Sequence, residues 1–166
     1  MFENKVWWIT GASSGIGAAL AEALAAKGAK FILSGRNEGA LREVAERVGG
    51  DPLILPFEAT DLARLPDIVE RAAAWAAPHG GLYGLVNNAG ISQRSLAIDT
   101  EFSVFEKIIA VDLLAPIALT QQVLPRLAAN GAGQLVAISS VAGIIGAPLR
   151  AAYSAAKAGI IGYHDS

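Results

Sequence analysis

The run Val6-Trp7-Trp8-Ile9-Thr10-Gly11-Ala12-Ser13-Ser14-Gly15-Ile16-Gly17 decides how this chain is read. Four apolar residues in succession describe a strand buried on both faces. A glycine-rich turn follows, and then Ala18–Lys27, which has the composition of a good helix. Strand, turn and helix N-terminus together make an anion site, because the first helical N–H groups have no partner and the helix dipole favours negative charge there. Gly11 can take backbone angles that a Cβ forbids, Gly15 lets an anion approach the main chain, and Gly17 lets the helix pack closely on the sheet. Ser13 and Ser14 add hydroxyl donors, and Ile16 lies between the last two glycines.

Outward from that stretch, strand-like and helix-like segments alternate. Strands are expected at 5–10, 30–35, 53–57, 82–86 and 134–139, and helices at 15–27, 40–48, 61–77 and 101–129, with a last helix starting near Ala151 or Ala152. Pro116 should bend the long fourth helix, since proline removes a hydrogen bond and crowds the preceding turn. Strands separated by helices imply an α/β fold, a doubly wound parallel sheet with right-handed crossovers in a single domain. In such sheets ligands bind beyond the carboxyl ends of the strands. The polar residues that matter are therefore those just after each strand: Gly11–Gly17, Ser34–Asn37, Glu58–Asp61, Asn87–Gly90 and Ser139–Ser140.

The bulk composition agrees. The 166 residues are 53% apolar and 17% charged, enough to cover both faces of a sheet. A formal net charge of -2 gives no pull toward nucleic acid or an anionic membrane. With no cysteine, disulfides and thiolate metal sites are excluded, and no metal site is expected. No apolar run approaches the roughly 18 residues of a membrane span. Met1 to Lys5 lead straight into the first strand without the pattern of a signal peptide, so the expectation is a soluble, cytoplasmic protein.

Two further constellations carry chemistry. After the second strand a dinucleotide site ordinarily places an acidic residue for the ribose hydroxyls, whereas here Arg36 stands there, a residue suited to a 2′-phosphate. NADP(H) is therefore expected over NAD(H), with Ser34 and Asn37 as neutral helpers. Tyr153 and Lys157 sit at i and i+4 on one helix face, downstream of Ser140 at the end of the fifth strand. A phenol ordinarily titrates near 10, and an ammonium about 4 Å away favours its anion by about 4 kcal/mol at an effective dielectric near 20. That pairing suits proton transfer to an oxyanion left by hydride delivery.

The spacing Thr10-Gly11-x-x-x-Gly15-x-Gly17, the run Asn87-Asn88-Ala89-Gly90 and the set Ser140, Tyr153 and Lys157 together resemble the short-chain dehydrogenase/reductase family, classical type, from Lys5 to Ser166. The resemblance implies a Rossmann-type fold and a carbonyl–alcohol oxidoreductase acting on a small molecule. In that family the tyrosine is general acid in reduction and base in oxidation, the lysine assists it and holds the nicotinamide ribose, and the serine binds the substrate oxygen. It also implies cofactor contacts at Asn88, Ala89 and Gly90. Asn87 reads about equally well as a structural turn residue. An acidic residue at Glu58 is expected to meet the adenine amino group; the other reading of this stretch has Asp61 cap the next helix.

Two features depart from the family. The fourth catalytic member is normally asparagine, and the matching position is Asp112, which accepts from a water but cannot donate as an amide does. Relative to the family the chain is also C-terminally incomplete, lacking two strands and a lid helix. The family implies a homodimer or homotetramer through the long and last helices, and the apolar residues of Phe105–Leu127 suit that. The alternative is a catalytically inactive nucleotide-binding or interaction module; a Rossmann-type methyltransferase is disfavoured by Ser140, Tyr153 and Lys157.

Overall fold

The computed structural model describes residues 2–166. Five strands form one parallel sheet: β1 (Val6–Thr10), β2 (Lys30–Ser34), β3 (Leu53–Ile54), β4 (Leu82–Asn87) and β5 (Gln134–Ala137), in the order β3-β2-β1-β4-β5. Six helices accompany them: α1 (Gly15–Ala25), α2 (Glu38–Val48), α3 (Leu65–Ala76), α4 (Phe102–Ile109), α5 (Ala115–Ala129) and α6 (Ala151–Asp165). The order reverses beside β1, which places a crevice at the carboxyl ends of β1 and β4.

Alternation along β1 divides the core in two. Val6 and Trp8 face α3 and α5 with Ile68, Val69, Leu119 and Val123. Trp7 and Ile9 face α1 and α2 with Ala21, Leu24, Leu41 and Val44. Trp8 and Ile9 are completely buried, and a side chain of that kind contributes about 1.5–3 kcal/mol on burial. The Trp7 ring occupies the space above Gly84, where any Cβ would overlap it, so β4 carries a glycine at its midpoint.

Some boundaries differ from the sequence expectation. β3 is only two residues long, although Leu55 N–H and Phe57 N–H still bond Leu33 O and Gly35 O; Pro56 between them has no N–H to give. The third helix starts at Leu65 after a turn, with Pro66 in its first turn. The long helix of 101–129 is two helices joined by a π-helical turn at Ala110–Leu114. Pro116 lies just after that turn and cannot donate to the carbonyl four residues back, so the ladder widens there instead of simply bending. Asp112 sits inside the widened turn.

Candidate active site

The turn after β1 is shaped by backbone rather than side chains. Gly11 has φ +64°, and a Cβ on it would come within 2.8 Å of the Ala89 Cα. Gly15 has φ +55° with open space around it. Gly17 fits for a different reason than close packing on the sheet: a Cβ would overlap Gly11 O and come 2.6 Å from Asn88 Nδ2, so the helix packs onto the turn itself. Ser14 occupies the N-cap without a side-chain capping bond, and no acidic residue lies in the first turn of α1. The positive end of the helix is thus left uncompensated.

This turn opens on a cavity of about 570 Å³. Gly11, Ser13, Ser14, Arg36 and Glu58 line it on one side, and Asn88, Ala89 and Gly90 on another. Gly15, Ile16 and Gly17 are not on its wall; Ile16 is 62% exposed at the start of α1. Asn88 is chiefly a brace, its Nδ2 donating to Thr10 O (3.0 Å) and Gly11 O (3.1 Å). Thr10 Oγ1 accepts from the N–H groups of Asn88 and Ala89, tying β4 to the turn a second time. Asn87 is not among the residues lining this cavity; it is buried and donates to Thr120 Oγ1 (2.8 Å) on α5, linking strand to helix.

The helpers of Arg36 are differently employed. Asn37 caps α2, its Oδ1 accepting from Ala40 N, and Ser34 Oγ accepts from the Trp8 indole at 2.8 Å. Arg36 itself is exposed and lies 3.9 Å from Glu58, whose carboxylate also receives Thr60 N–H and Oγ–H. Asp61 gives no side-chain capping bond to the turn it begins.

The second cluster gathers beyond β5. Ser140 and Tyr153 line a cavity of about 540 Å³ together with Val141, Ala142, Ile145 and Arg150. Ser140 Oγ accepts from Ala142 N–H at 3.1 Å, which fixes the oxygen and leaves its hydrogen free to donate into the cavity. Tyr153 and Lys157 share a face of α6, and Lys157 Nζ lies 5.6 Å from the Tyr153 ring centroid. Lys157 is buried and donates to Ile138 O at 3.0 Å, while Ser139 Oγ–H bonds its carbonyl. α6 is held against α4 through Ile108, Ala152 and Ala156, which consumes part of the apolar surface on both helices.

Asp112 completes this cluster. Its Oδ1 accepts from Ile91 N–H at 2.8 Å and its Oδ2 lies 3.3 Å from Lys157 Nζ, with both side chains almost wholly buried. Burial raises the carboxyl above its ordinary value, opposed by the Ile91 N–H and by the Lys157 charge. Gly90 exists to make room for the pair, since a Cβ there would come 2.8 Å from Asp112 Oδ2. Three residues without a motif also reach these sites: Lys107 on the first cavity, Arg150 on the second, and Gln93, whose Oε1 accepts from Tyr153 N–H. Only their distance from a strand end marks them in sequence, and they lie on loops or helices that topology alone brings close.

Comparison with known proteins agrees with this layout. The model of the short chain dehydrogenase family matches residues 5–166. The chain is 38% identical to dehydrogenase/reductase SDR family member 7B of Danio rerio, covering 98% of this chain and 55% of that protein. It is 35% identical to 3-oxoacyl-[acyl-carrier-protein] reductase FabG of Escherichia coli K12, covering 99% of this chain and 66% of that one. A solved structure of levodione reductase superposes with a TM-score of 0.90 at 30% identity, over 98% of this chain and 64% of its own. The chain thus spans about half to two thirds of the length of these relatives. With its glycine turn, its parallel sheet and a family match over nearly all its residues, the chain belongs to the short chain dehydrogenase family.

Proposed function

We propose that the chain carries the nucleotide-binding and catalytic part of an NADP(H)-dependent oxidoreductase that interconverts a carbonyl and a secondary alcohol on a small molecule. The observation that carries the reading is the meeting of Ser140 and Tyr153 on one cavity with the buried Lys157 beside the Tyr153 ring, next to a glycine cradle at the same sheet edge. The cradle suits a dinucleotide: Gly11 has no space for a side chain, the first turn of α1 is uncapped, and the cavity is of ligand size. Bound there, a nicotinamide dinucleotide supplies or accepts the hydride.

The chain's own residues then divide the work. Gly11, Ser13 and Ser14 offer backbone and hydroxyl donors to phosphate, with Gly15, Ile16 and Gly17 presenting the N–H groups of the first helical turn. Arg36 receives a 2′-phosphate, and its closeness to Glu58 weakens but does not cancel that attraction, because both side chains are solvated. Glu58 serves the adenine end, and Asn88, Ala89 and Gly90 form the floor toward the ring. Ser140 donates its hydroxyl hydrogen to the substrate oxygen. Tyr153 gives a proton from Oη to that oxygen in reduction and takes it back in oxidation. Lys157 presents a positive charge beside the phenol and holds the ribose.

Asp112 moderates that charge by its 3.3 Å approach to Lys157 Nζ. Its replacement by Asn is expected to leave turnover equal or higher, since an amide keeps the Ile91 bond and removes the opposing charge. The reading also takes the exposed Phe102, Leu114 and Leu124 on and between α4 and α5 as the start of a homodimer surface, checked by sedimentation. The deciding experiment mixes the purified chain with NADPH and a carbonyl panel. Consumption of NADPH supports the proposal; tight NADPH binding with no consumption turns it into the inactive nucleotide-binding module.

A further inference from the structure

Arg150 is the one charged side chain on the cavity that Ser140 and Tyr153 share. None of the five ion pairs among the described residues includes it, although Arg36, Arg42, Arg47 and Arg126 each have a carboxylate. The other arginines without a carboxylate, Arg64, Arg71 and Arg94, are exposed, whereas Arg150 is half-buried. Taking a guanidinium partly out of water without a counter-charge is unfavourable unless something supplies one.

Its charge is set against the helix dipole. Arg150 stands at the N-cap of α6, makes no capping bond with its side chain, and sets a positive charge at the positive end of the helix. Yet the structure holds it in place from three sides. Leu149, directly before it, adopts φ +64°, a costly conformation for a branched residue, and its carbonyl accepts from Ser95 N–H at 3.1 Å. Arg150 Nη1 donates to Ser92 Oγ at 2.6 Å. The guanidinium carbon lies 5.6 Å from the Tyr153 ring centroid. One of its five N–H donors is used, and the rest remain for an acceptor.

Much of the remaining lining is apolar. Val141 and Ile145 are part of it and are 75% and 69% exposed, so they offer apolar surface to a ligand. A ligand that satisfies the whole wall places a carbonyl oxygen at Ser140 and Tyr153, an alkyl segment on Val141 and Ile145, and an oxyanion at Arg150.

We infer that Arg150 is an anion-recognising subsite and that the substrates are carbonyl compounds bearing a carboxylate or phosphate together with a short apolar segment. The inference rests on the proposed role of Ser140 and Tyr153 as the carbonyl site. Arginine suits it because its planar fork pairs with either oxyanion through two parallel hydrogen bonds.

The test compares 4-oxononanoate with its methyl ester, and 2-oxoheptyl phosphate with 1-hydroxyheptan-2-one, using NADPH. In the native protein kcat/KM for one anionic member is expected to exceed that of its neutral partner by about tenfold or more. Arg150→Gln is expected to shrink that ratio by about tenfold, chiefly through KM, and Arg150→Lys to keep part of it. Which pair responds tells carboxylate from phosphate. A ratio near one in the native protein, or a ratio that Arg150→Gln leaves in place, overturns the inference while leaving the oxidoreductase reading intact. If no pair consumes NADPH, the carbonyl panel still decides the oxidoreductase reading, and calorimetric titration with the four compounds decides the subsite. Binding of an anionic member alone, lost in Arg150→Gln, upholds it; equal or absent binding overturns it.

Discussion

β1 and β5 belong to the same sheet but are made differently. Every residue of β1 is buried, with helices covering both faces. β5 is an edge strand whose first residue is exposed and whose other three are only partly covered. The groups beyond β1 are backbone and glycine, fixed by contacts that no side chain could share. The groups beyond β5 are side chains, held by the Ile138 carbonyl, which accepts from Lys157 Nζ, and by the N–H groups of Ile91 and Ala142, which donate to Asp112 and Ser140. The cradle is therefore a matter of shape enforced by the core, and the catalytic edge is a matter of charge and proton placement. A substitution at the first should alter folding and binding together. At the second it should alter chemistry while sparing the fold.

The largest expected effect tests the edge. Tyr153→Phe removes one hydroxyl from a half-buried ring and leaves α6 packed through Ala152 and Ala156. Turnover in either direction should fall about 100- to 10,000-fold, the usual contribution of a positioned acid–base group. Thermal stability and NADPH affinity, followed by melting and by fluorescence titration, should stay close to native. A loss of NADPH affinity as large as the loss of turnover would show that the two regions are not separable.

The cradle should answer in the opposite way. In Gly17→Ala the new methyl overlaps Gly11 O and crowds Asn88 Nδ2, both atoms that hold the turn in shape. Overpacking of that kind costs about 1–3 kcal/mol. Chemical denaturation should show the loss, and NADPH affinity should fall with it because the turn must move. An unchanged midpoint with unchanged affinity would break the comparison.

The same contrast explains what could be read in advance. β1, its glycine turn and the alternating elements were legible because local pattern dictates them: Trp7 and Trp8 announce a doubly covered strand, and Gly11 a position that excludes a Cβ. Ser140, Tyr153 and Lys157 were legible only as a set, through their placement after a strand. The roles of Asn37, Ser34 and Asn87 were not, because a helix cap, an indole acceptor and a bond to Thr120 depend on partners brought in by tertiary structure. The π turn around Asp112 also escaped, since Pro116 signals a disrupted ladder without saying whether it kinks or widens. Arg150 carries no motif, and its meaning comes from the cavity it lines.

Arg36→Asp probes the rim of the cradle, where solvent screens charge. The substitution exchanges a phosphate-binding cation for an acceptor of ribose hydroxyls. Because Arg36 is exposed and near Glu58, the native preference for NADPH over NADH should be about tenfold rather than thousands, and the variant should reverse it. Steady-state KM values for both cofactors measure this, and equal values in the native protein would count against the 2′-phosphate role.

The smallest effect concerns Asp112, which lies where the two regions meet, bonded to Ile91 after β4 and beside Lys157 on α6. Its carboxyl is raised above the ordinary 3.8 chiefly because burial disfavours the charged form, with Ile91 and Lys157 pulling the other way. A raised value means that the folded chain holds this proton more tightly than the unfolded one. The group's contribution to stability is then complete below 3.8 and is lost as pH rises through the raised value. Asp112→Asn has no such proton to lose and keeps the acceptor for Ile91 N–H. Urea titrations of both proteins between pH 4 and 8 should show the variant gaining on the native chain as pH rises, by at most about 1.4 kcal/mol per pH unit, and then holding a constant lead. If the attraction of Lys157 outweighs burial instead, the carboxyl is lowered, the native chain's gain is complete a little above 3.8, and the variant gains nothing as pH rises further. Whether the variant gains on the native chain above that point decides whether Asp112 burdens the fold for the sake of Lys157 or is stabilised by it.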